Sequence, residues 1–341
     1  TSASNGLINM DTLAVDGSIA LVTNGNGAAT VVNDAAIEFA ASTVRGALTA
    51  TATTGEITDS GTLTITGASI FTTRVGGSNI VLDSSANAFA AAVTMKADTG
   101  GDETFGNITF VDSAAVKLHS SAGTNGDLFI DAGTDLAVGG NLSITATTGN
   151  ITQGSEVAVT GTTTLVTSAN DATITLNDAD NAFTGALTIT TNDNSGTDAA
   201  VIIDGGTTAL IIAASTIDGN LTLTSGATAG ITDSGTVTVG GDLAATTDAG
   251  NGVINMDQLA VDGTIALTTN GNGAATVVND AGLNFAASTV RGALSATATT
   301  GDISDSGNLV ITGAATFITT AAGRDIILDQ SGNVFTSTVT M

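Results

Sequence analysis

Apolar and polar residues alternate over short runs along the whole chain, as in LTITG, ITL and IVLD. The runs are about 3–6 residues long and are separated by Gly, Asn, Asp or Ser, which favour tight turns. No stretch carries apolar residues at i, i+3 and i+4 between helix caps. The pattern therefore predicts an all-β chain of many short strands with little or no helix.

The alternating runs recur as a unit of constant length. The segment 46–89 returns as 140–183 and again as 292–335, and a looser copy lies at 219–244. The polar positions between the strands differ among the copies, whereas the apolar positions form columns. Columns of this kind are expected where an inward-facing core stacks from coil to coil. The predicted core columns are Leu48, Ile57, Leu63, Ile65, Phe71, Ile80, Leu82, Phe89, Leu142, Ile151, Phe183, Leu294, Ile303, Phe317 and Phe335.

A longer repeat contains the shorter one. Residues 1–95 return as 247–341 without a gap, an offset of 246, and about two positions in three are identical. Sandwich loops vary freely in length, whereas stacked coils must stay in register, so the spacing favours a parallel β-solenoid. With about 20 residues per coil and about 4.8 Å between stacked strands, residues 1–341 are predicted to form one continuous rod of roughly 80 Å.

The composition of the chain excludes several classes of function. The chain has 341 residues with no Pro, Cys, Trp or Tyr, and its 32 acidic residues against 6 Lys and Arg give a net charge of −26. Such a charge is repelled by phosphate backbones and by anionic membranes. No apolar run approaches the roughly 20 residues of a membrane-spanning helix. We therefore expect neither nucleic-acid binding nor membrane insertion, and the lack of Cys is compatible with an extracellular setting.

Two patterns in the units carry a family resemblance: G-[AN]-L-x-[AIL]-T-[AS]-x-T-[AG]-x-I-[ST]-[DQ]-[SG] and [IL]-x-L-[DN]-x-[SA]-x-N-x-F. Over the whole chain these units resemble the repeats of filamentous-haemagglutinin-like adhesins and of other giant bacterial surface proteins. The resemblance implies a right-handed parallel β-helix, export to the cell surface, and a role in adhesion, aggregation or matrix formation. It predicts a structural, adhesive segment of a surface fibre, stalk or matrix filament, without catalytic activity.

Catalysis on such a scaffold requires carboxylates that converge with a base or a cation. The only histidine, His119, follows Lys117 in VKLHSS and is expected at an outward strand position. Arg45 and Arg291 occupy the same place in STVRGAL, where a salt bridge or a corner contact is favoured over a catalytic cation. A carbohydrate-binding or carbohydrate-cleaving module on the same scaffold remains the alternative.

Calcium is the ligand that the acidic turns favour, since carboxylates and turn carbonyls are its usual partners. None of the turns reproduces a known calcium loop, and solvated corners that maintain solubility are the competing interpretation. The candidate calcium residues are Asp98, Asp102, Glu103, Asp178, Asp180, Asp193 and Asp198. No other cofactor is expected.

Thr-x-Thr runs raise ice binding as a minor alternative. That function requires the Thr pairs to lie at one angular position in every coil, and the runs here are interrupted and unevenly spaced. Exposed strands at the ends of a solenoid invite pairing. The expected partners are therefore the chain itself, by end-to-end or lateral assembly or by covalent continuation, together with host-surface or matrix glycans.

Overall fold

The computed structural model describes residues 1–2, 4–97, 106–119, 127–130, 136–191 and 199–341. These residues form strands and turns only, and none of them belongs to a helix that could cross a membrane. The chain divides into two compact units, unit 1 at 1–169 and unit 2 at 170–341. The prediction of an all-β chain is confirmed.

In its described residues unit 1 contains twenty strands, most of them three to five residues long. They are β1 Ile8–Leu13, β2 Ser18–Ile19, β3 Ala29–Asn33, β4 Ile37–Phe39, β5 Ser42–Val44, β6 Leu48–Ala52, β7 Ile57–Asp59, β8 Leu63–Ile65, β9 Ser69–Thr73, β10 Ile80–Leu82, β11 Ala88–Phe89, β12 Val93–Ala97, β13 Ile108–Asp112, β14 Val116–His119, β15 Asp127–Ile130, β16 Leu136–Val138, β17 Leu142–Ala146, β18 Ile151–Gln153, β19 Val157–Val159 and β20 Thr163–Thr167.

Unit 2 contains the remaining strands of the described chain. They are β21 Ile174–Leu176, β22 Ala182–Phe183, β23 Leu187–Thr190, β24 Val201–Asp204, β25 Leu210–Ile212, β26 Ser215–Ile217, β27 Leu221–Ser225, β28 Ile231–Asp233, β29 Val237–Val239, β30 Leu243–Gly250, β31 Ile254–Val261, β32 Ile265–Asn270, β33 Ala275–Asn279, β34 Leu283–Phe285, β35 Ser288–Val290, β36 Leu294–Ala298, β37 Ile303–Asp305, β38 Leu309–Ile311, β39 Ala315–Thr319, β40 Ile326–Ile327, β41 Val334–Phe335 and β42 Val339–Thr340.

The strands pair in parallel with strands one coil away, which confirms the predicted β-solenoid. In unit 1 the ladder runs from Ala29 to Leu48, Ser69 and Val93, so successive coils take 19, 21 and 24 residues. The step from Ile108 lengthens to 34 residues at its partner Leu142. The number of residues per coil therefore varies, while the strands of neighbouring coils still pair in parallel.

A regular coil consists of one long strand and two short ones. In unit 1 the long strands β3, β6 and β9 form one ladder. The short strands form two further ladders, β4 with β7 and β10, and β5 with β8 and β11. The segment 46–89 thus contains two complete coils.

The long strands do not stay on one side of a unit. In unit 2 the two short strands β28 and β29 both pair with the single eight-residue strand β31. From there the long strands continue through β33, β36 and β39 on that side. On the opposite side, the long strand β32 pairs with both short strands β34 and β35. Long and short strands therefore exchange sides within 243–290.

The core follows the alternation of the sequence. Leu48 and Ala50 point inward and are fully buried, whereas Thr49 between them is half-buried and faces out. All the core columns named from the sequence are buried except Phe335, which is half-buried in β41. Phenylalanine rings stack edge to face: Phe39 with Phe71 and Phe71 with Phe89, each pair 6.2 Å between centroids. Phe285 and Phe317 repeat this contact at 6.3 Å.

Glycines mark the corners that precede several of the long strands, including β6 and β9. The Gly46 amide donates to the Gly27 carbonyl at 2.9 Å, and the Gly67 amide donates to the Gly46 carbonyl at 3.1 Å. A Cβ atom on Gly46 would lie 2.5 Å from the carbonyl oxygen of Asn26. The corner therefore requires glycine because adjacent coils bring their main chains into contact there.

Candidate functional site

Polar side chains inside the coils recur at equivalent positions and form the candidate site of this chain. Asn33 ends β3 and is fully buried, and so is Asn279 at the end of β33. The Asn279 Nδ2 donates to the carbonyl oxygens of Val261 at 3.0 Å and Gly282 at 2.7 Å, while its Oδ1 accepts from the Val261 amide at 2.8 Å. A buried amide that makes three main-chain hydrogen bonds replaces a missing piece of the strand ladder.

Asn33 makes the equivalent bonds in unit 1. Its Oδ1 accepts from the Val15 amide at 2.9 Å, and its Nδ2 donates to the carbonyl oxygens of Val15 and Ala36 at 2.9 and 2.6 Å. The same residue type in the same bonds in both copies indicates that the role is structural.

A buried serine occupies the bend between the two short strands. Ser42 donates its hydroxyl to the Ala40 carbonyl at 2.8 Å and accepts from the Leu21 amide of the neighbouring coil at 3.0 Å. Ser215 and Ser288 make the same pair of bonds. Each hydroxyl thus connects two coils.

A carboxylate and an amide form a second recurring pair. The Asn87 Nδ2 donates to Asp59 Oδ2 at 2.6 Å, and Asn87 Oδ1 accepts from the Leu63 amide at 2.8 Å. In unit 2 Asn333 joins Asp305 at 2.5 Å and accepts from the Leu309 amide at 2.7 Å. The acidic residue of the I-[ST]-D pattern therefore fixes a neighbouring corner.

Asn and Asp side chains, half-buried or exposed, form hydrogen bonds between successive coils at a corner in each unit. In unit 1 the Oδ1 of Asn79 accepts from the Asn107 amide at 2.7 Å, and the Oδ1 of Asn107 accepts from the Asn141 amide at 2.8 Å. In unit 2 the Oδ1 of Asn220 accepts from the Asp242 amide at 2.8 Å. These bonds satisfy main-chain donors that the strands leave open at the corner.

Burial shifts the pKa of several carboxylates. Desolvation raises the pKa of Asp59, against the opposing effect of the Asn87 hydrogen bond. Burial likewise raises the pKa of Asp112, Asp204 and Asp233. Hydrogen bonds from Thr264 lower the pKa of the exposed Asp242. In four of these five groups the pKa shift disfavours the charged form, as expected for carboxylates that are wholly or partly withdrawn from water.

The raised pKa values of these carboxylates predict how the stability of the fold depends on pH. A carboxylate whose folded-state pKa exceeds its unfolded value stabilises the fold when protonated, and that stability is lost as the pH rises through the folded pKa. We therefore expect the thermal midpoint to rise when the pH falls from neutral toward the unfolded aspartate pKa of about 3.9. Thermal melts at constant high salt test this, since salt screens the general repulsion. A midpoint that falls continuously over that interval would contradict the assignment.

The calcium candidates fall into two groups. Asp98, Asp102, Glu103, Asp193 and Asp198 lie outside the described residues. Asp178 and Asp180 share one turn, in which the Asp178 Oδ1 accepts from the Asp180 amide at 3.0 Å. In the described part of the chain no three acidic or His side chains come together in a way that could hold a metal ion.

Calcium binding at Asp178 and Asp180 remains a prediction. Two carboxylates in one turn supply fewer than the six to eight oxygens that the ion takes, so other oxygens would have to complete the site. If calcium binds, millimolar CaCl2 should raise the thermal midpoint relative to EDTA, because binding only the folded state stabilises it. Asp178→Asn should remove that difference. An equal midpoint in CaCl2 and EDTA would contradict the prediction.

Arg45 and Arg291 contact their corners through the main chain. Arg45 and Arg291 are exposed, and their backbone amides donate to the buried hydroxyls of Thr23 at 2.9 Å and Thr269 at 3.0 Å. The corner contact predicted for this position is thus made by the main chain. His119 ends β14, and its side chain lies outside the described part of the structure.

One shallow cleft lies on the surface of unit 2, with a volume of about 210 Å³. Its carboxylates are Asp262 and Asp302, and Asn284 and Ser304 supply further polar groups. No Arg, Lys or His lines it. The cleft can therefore offer hydrogen bonds to a polar ligand.

The buried polar columns were missed from the sequence. A signal was present, since Asn33 and Asn279 stand at inward positions of an apolar alternation and match between the copies. Ser42 and Ser288 show the same signal. A polar residue retained at an inward position indicates a hydrogen-bonded group rather than free surface.

Comparison with known proteins identifies the repeat. The family model of repeats of unknown function (DUF5649) matches residues 25–96, 105–190 and 272–341, which is more than half of the chain. No curated protein matches, and no solved structure matches.

Proposed function

The chain belongs to the DUF5649 family of repeats, and we propose that it is a structural segment of a long extracellular β-solenoid used as a fibre, stalk or adhesive matrix. One observation carries the proposal. Buried polar side chains such as Asn279 and Ser288 form their hydrogen bonds with the main chain of their own and adjacent coils. Groups used in this way hold coils together and are not free to act on a substrate.

The two long copies support a mechanical role. Their inward residues are nearly the same, whereas the outer charge changes, as at the exposed Arg74 against Thr320. A catalytic site would require fixed outer groups, while a scaffold requires a fixed interior. Geometry is thus more constrained than surface chemistry.

An extracellular, cell-surface location is supported by composition. The chain has no Cys, and its 32 acidic residues keep a β-rich surface soluble and separate from neighbours. The units also resemble those of filamentous-haemagglutinin-like adhesins. Adhesion, with host-surface or matrix glycans as the partners and with no nucleic acid and no membrane insertion, follows from that resemblance and from the charge.

The cleft beside Asp262 and Asp302 supports the second candidate, a carbohydrate-binding module. Polar groups in a surface cleft can hydrogen-bond sugar hydroxyls. A double variant, Asp262→Ala with Asp302→Ala, should abolish glycan retention on an array if the cleft is a binding site. A matched variant at the equivalent positions of unit 1, Asp16→Ala with Glu56→Ala, reports on the charge change alone.

Cell-surface exposure of the native protein tests the structural proposal. Immunogold labelling of intact cells should place the chain on filaments outside the envelope, and external protease should remove the label. Labelling that appears only after cell lysis would overturn the extracellular role. Hydrolysis of a glycan by the purified chain would overturn the proposed lack of catalytic activity.

A further inference from the structure

Asparagine followed directly by glycine occurs seven times in the chain. In such a pair the main-chain nitrogen of the glycine can attack the side-chain amide of the asparagine, because glycine has no side chain that hinders the approach. Two pairs stand in each copy of the corner TNGNG, at 23–27 and 269–273. The pair at 125–126 lies outside the described residues, so the structure can rank the other six by how accessible the reacting groups are.

The first asparagine of each TNGNG corner precedes an exposed glycine. Asn24 and Gly25 are both exposed, and so are Asn270 and Gly271. Among the described residues the amides of Gly25 and Gly271 have no hydrogen-bond acceptor. The side chains of Asn24 and Asn270 each donate one hydrogen bond, of 3.2 and 3.3 Å, to a carbonyl oxygen of a neighbouring coil. The attacking nitrogen and the carbon that it attacks are therefore both accessible.

The second asparagine of the corner precedes a buried glycine. The amide of Gly273 donates to the carbonyl oxygen of Asn270 at 2.9 Å, and the equivalent bond of unit 1 is 3.1 Å long. A Cβ atom on Gly273 would lie 2.1 Å from the carbonyl oxygen of Gly252 in the adjacent coil, so the main chain is tightly packed there. The nitrogen that would attack Asn272 is thus hydrogen-bonded and withdrawn from water.

The asparagine of the adjacent coil is protected at both reacting groups. Asn251 precedes the buried Gly252, whose amide donates to the carbonyl oxygen of Ala249 at 3.0 Å. The Oδ1 of Asn251 accepts from the Asn272 amide at 2.8 Å, and the equivalent bond of Asn5 is 2.7 Å long. Attack on this side chain would require both hydrogen bonds to break.

The fold requires the glycine of the exposed pair. Gly25 has a φ of 60° and Gly271 a φ of 61°, in the left-handed region that favours glycine. A Cβ atom on Gly25 would lie 2.5 Å from the Oδ1 of Asn5, and one on Gly271 would lie 2.6 Å from the main-chain nitrogen of Asn251. A side chain at either position would therefore strain the corner, so the corner itself keeps the reactive dipeptide.

We propose that Asn24 and Asn270 are sites at which the folded chain modifies itself by losing ammonia. The nitrogen of Gly25 or Gly271 bonds to the Cγ of the preceding asparagine, and its proton passes through water to the leaving amide nitrogen. The Cγ–Nδ2 bond breaks, ammonia departs, and a five-membered imide remains. Addition of one water molecule opens the imide at either carbonyl. The products are aspartate and isoaspartate, each with one new carboxylate.

Isoaspartate alters the contact between coils at this corner. The carbonyl oxygen of Asn270 accepts from the Asn251 amide of the adjacent coil at 3.1 Å and from the Gly273 amide at 2.9 Å. In isoaspartate the main chain runs through the former side chain and is one carbon longer, so this carbonyl becomes part of a free carboxylate. The product also adds negative charge to a chain of net charge −26. The modification therefore loosens the corner and accumulates with the age of the molecule.

Peptide mapping of the folded chain after incubation in mildly alkaline buffer tests the assignment. Tandem mass spectrometry locates each deamidated asparagine, and an isoaspartyl methyltransferase labels the isoaspartate. Asn24 and Asn270 should react roughly five-fold faster than Asn26 and Asn272, the factor expected from one main-chain hydrogen bond of ordinary net strength. In concentrated urea the four asparagines should react at similar rates, because each is then part of an exposed Asn-Gly pair.

Two matched double variants test the origin of the isoaspartate. Asn24→Gln with Asn270→Gln should remove most of it from the folded chain, because glutamine would have to form a less favoured six-membered ring. Asn26→Gln with Asn272→Gln should leave the yield nearly unchanged.

Two results would overturn the inference. One is equal reaction rates at the four asparagines of the folded chain. The other is a folded chain in which Asn24 and Asn270 stay intact although both react in urea. The inference goes beyond the proposed structural role and does not depend on it. Surface labelling of cells and peptide mapping of the purified chain can therefore fail separately.

Discussion

Replacing Phe71 by alanine is expected to lower the free energy of unfolding by about 3–5 kcal/mol, the usual cost of removing a large buried ring. The Phe71 ring is fully buried. It contacts Phe39 and Phe89 edge to face, at 6.2 Å between ring centroids in both pairs. Its removal opens a cavity and breaks two aromatic contacts at once, each worth about 0.5–1.5 kcal/mol beyond area burial.

Urea denaturation followed by circular dichroism measures the loss for Phe71→Ala. Phe71→Leu should lose less, because leucine refills part of the cavity. Thr72→Ala, next to it and facing out, should change the stability by under about 1 kcal/mol. Hydrogen exchange should show the loss first in β6, β9 and β12, since each coil of a repeat protein contacts its neighbours only. Equal losses for Phe71→Ala and Thr72→Ala would contradict the stacked-core assignment.

The stacked core could be predicted from the sequence because burial in a solenoid depends mainly on the alternation of inward and outward residues along each strand. Leu48, Ile57 and Phe71 stand at alternate positions of short runs and recur at constant spacing between copies. A period of two fixes which side of a strand faces inward. Constant spacing then fixes which residues stack. Neither inference needs tertiary detail.

The pairing of the strands was harder to predict from the sequence. Ile57 pairs with Ile80 after 23 residues, whereas Ala275 pairs with Leu294 after 19. The register is set by how each corner folds back, which depends on glycine approach and on side chains such as Asn79. The exchange of long and short strands between the sides of unit 2 has the same origin. Local patterns describe strands well and corners poorly.

The candidate site divides in a similar way. Acidic positions such as Asp59 were visible, but their burial was not, because alternation alone does not say how far a corner closes over a carboxylate. The Asn87 contact to Asp59 joins residues 28 positions apart. Only the stacking of two coils brings them together, so sequence spacing gives no sign of the pair.

The second large effect on stability is expected from replacing the buried asparagines. Asn279 occupies an inward position where the apolar pattern would place Leu or Val, and its side chain satisfies the Val261 amide and the carbonyls of Val261 and Gly282. At these positions β31 shows a register shift between Met256 and Leu259. The asparagine therefore completes hydrogen bonds at a place where the regular ladder is interrupted.

Asn279→Ala is accordingly expected to cost about 3 kcal/mol, since each buried main-chain group left without a partner costs about 1–3 kcal/mol. Urea denaturation measures the loss. Asn33→Ala removes the equivalent bonds in unit 1 and should cost a similar amount, whereas Asn272→Ala, whose side chain is exposed, should stay within about 0.5 kcal/mol of the unmodified chain. Asn279→Asp keeps the acceptor for the Val261 amide but loses both donors, so it should not restore stability. A loss for Asn279→Ala as small as that for Asn272→Ala would mean that water replaces the amide, and that this corner does not depend on its asparagine.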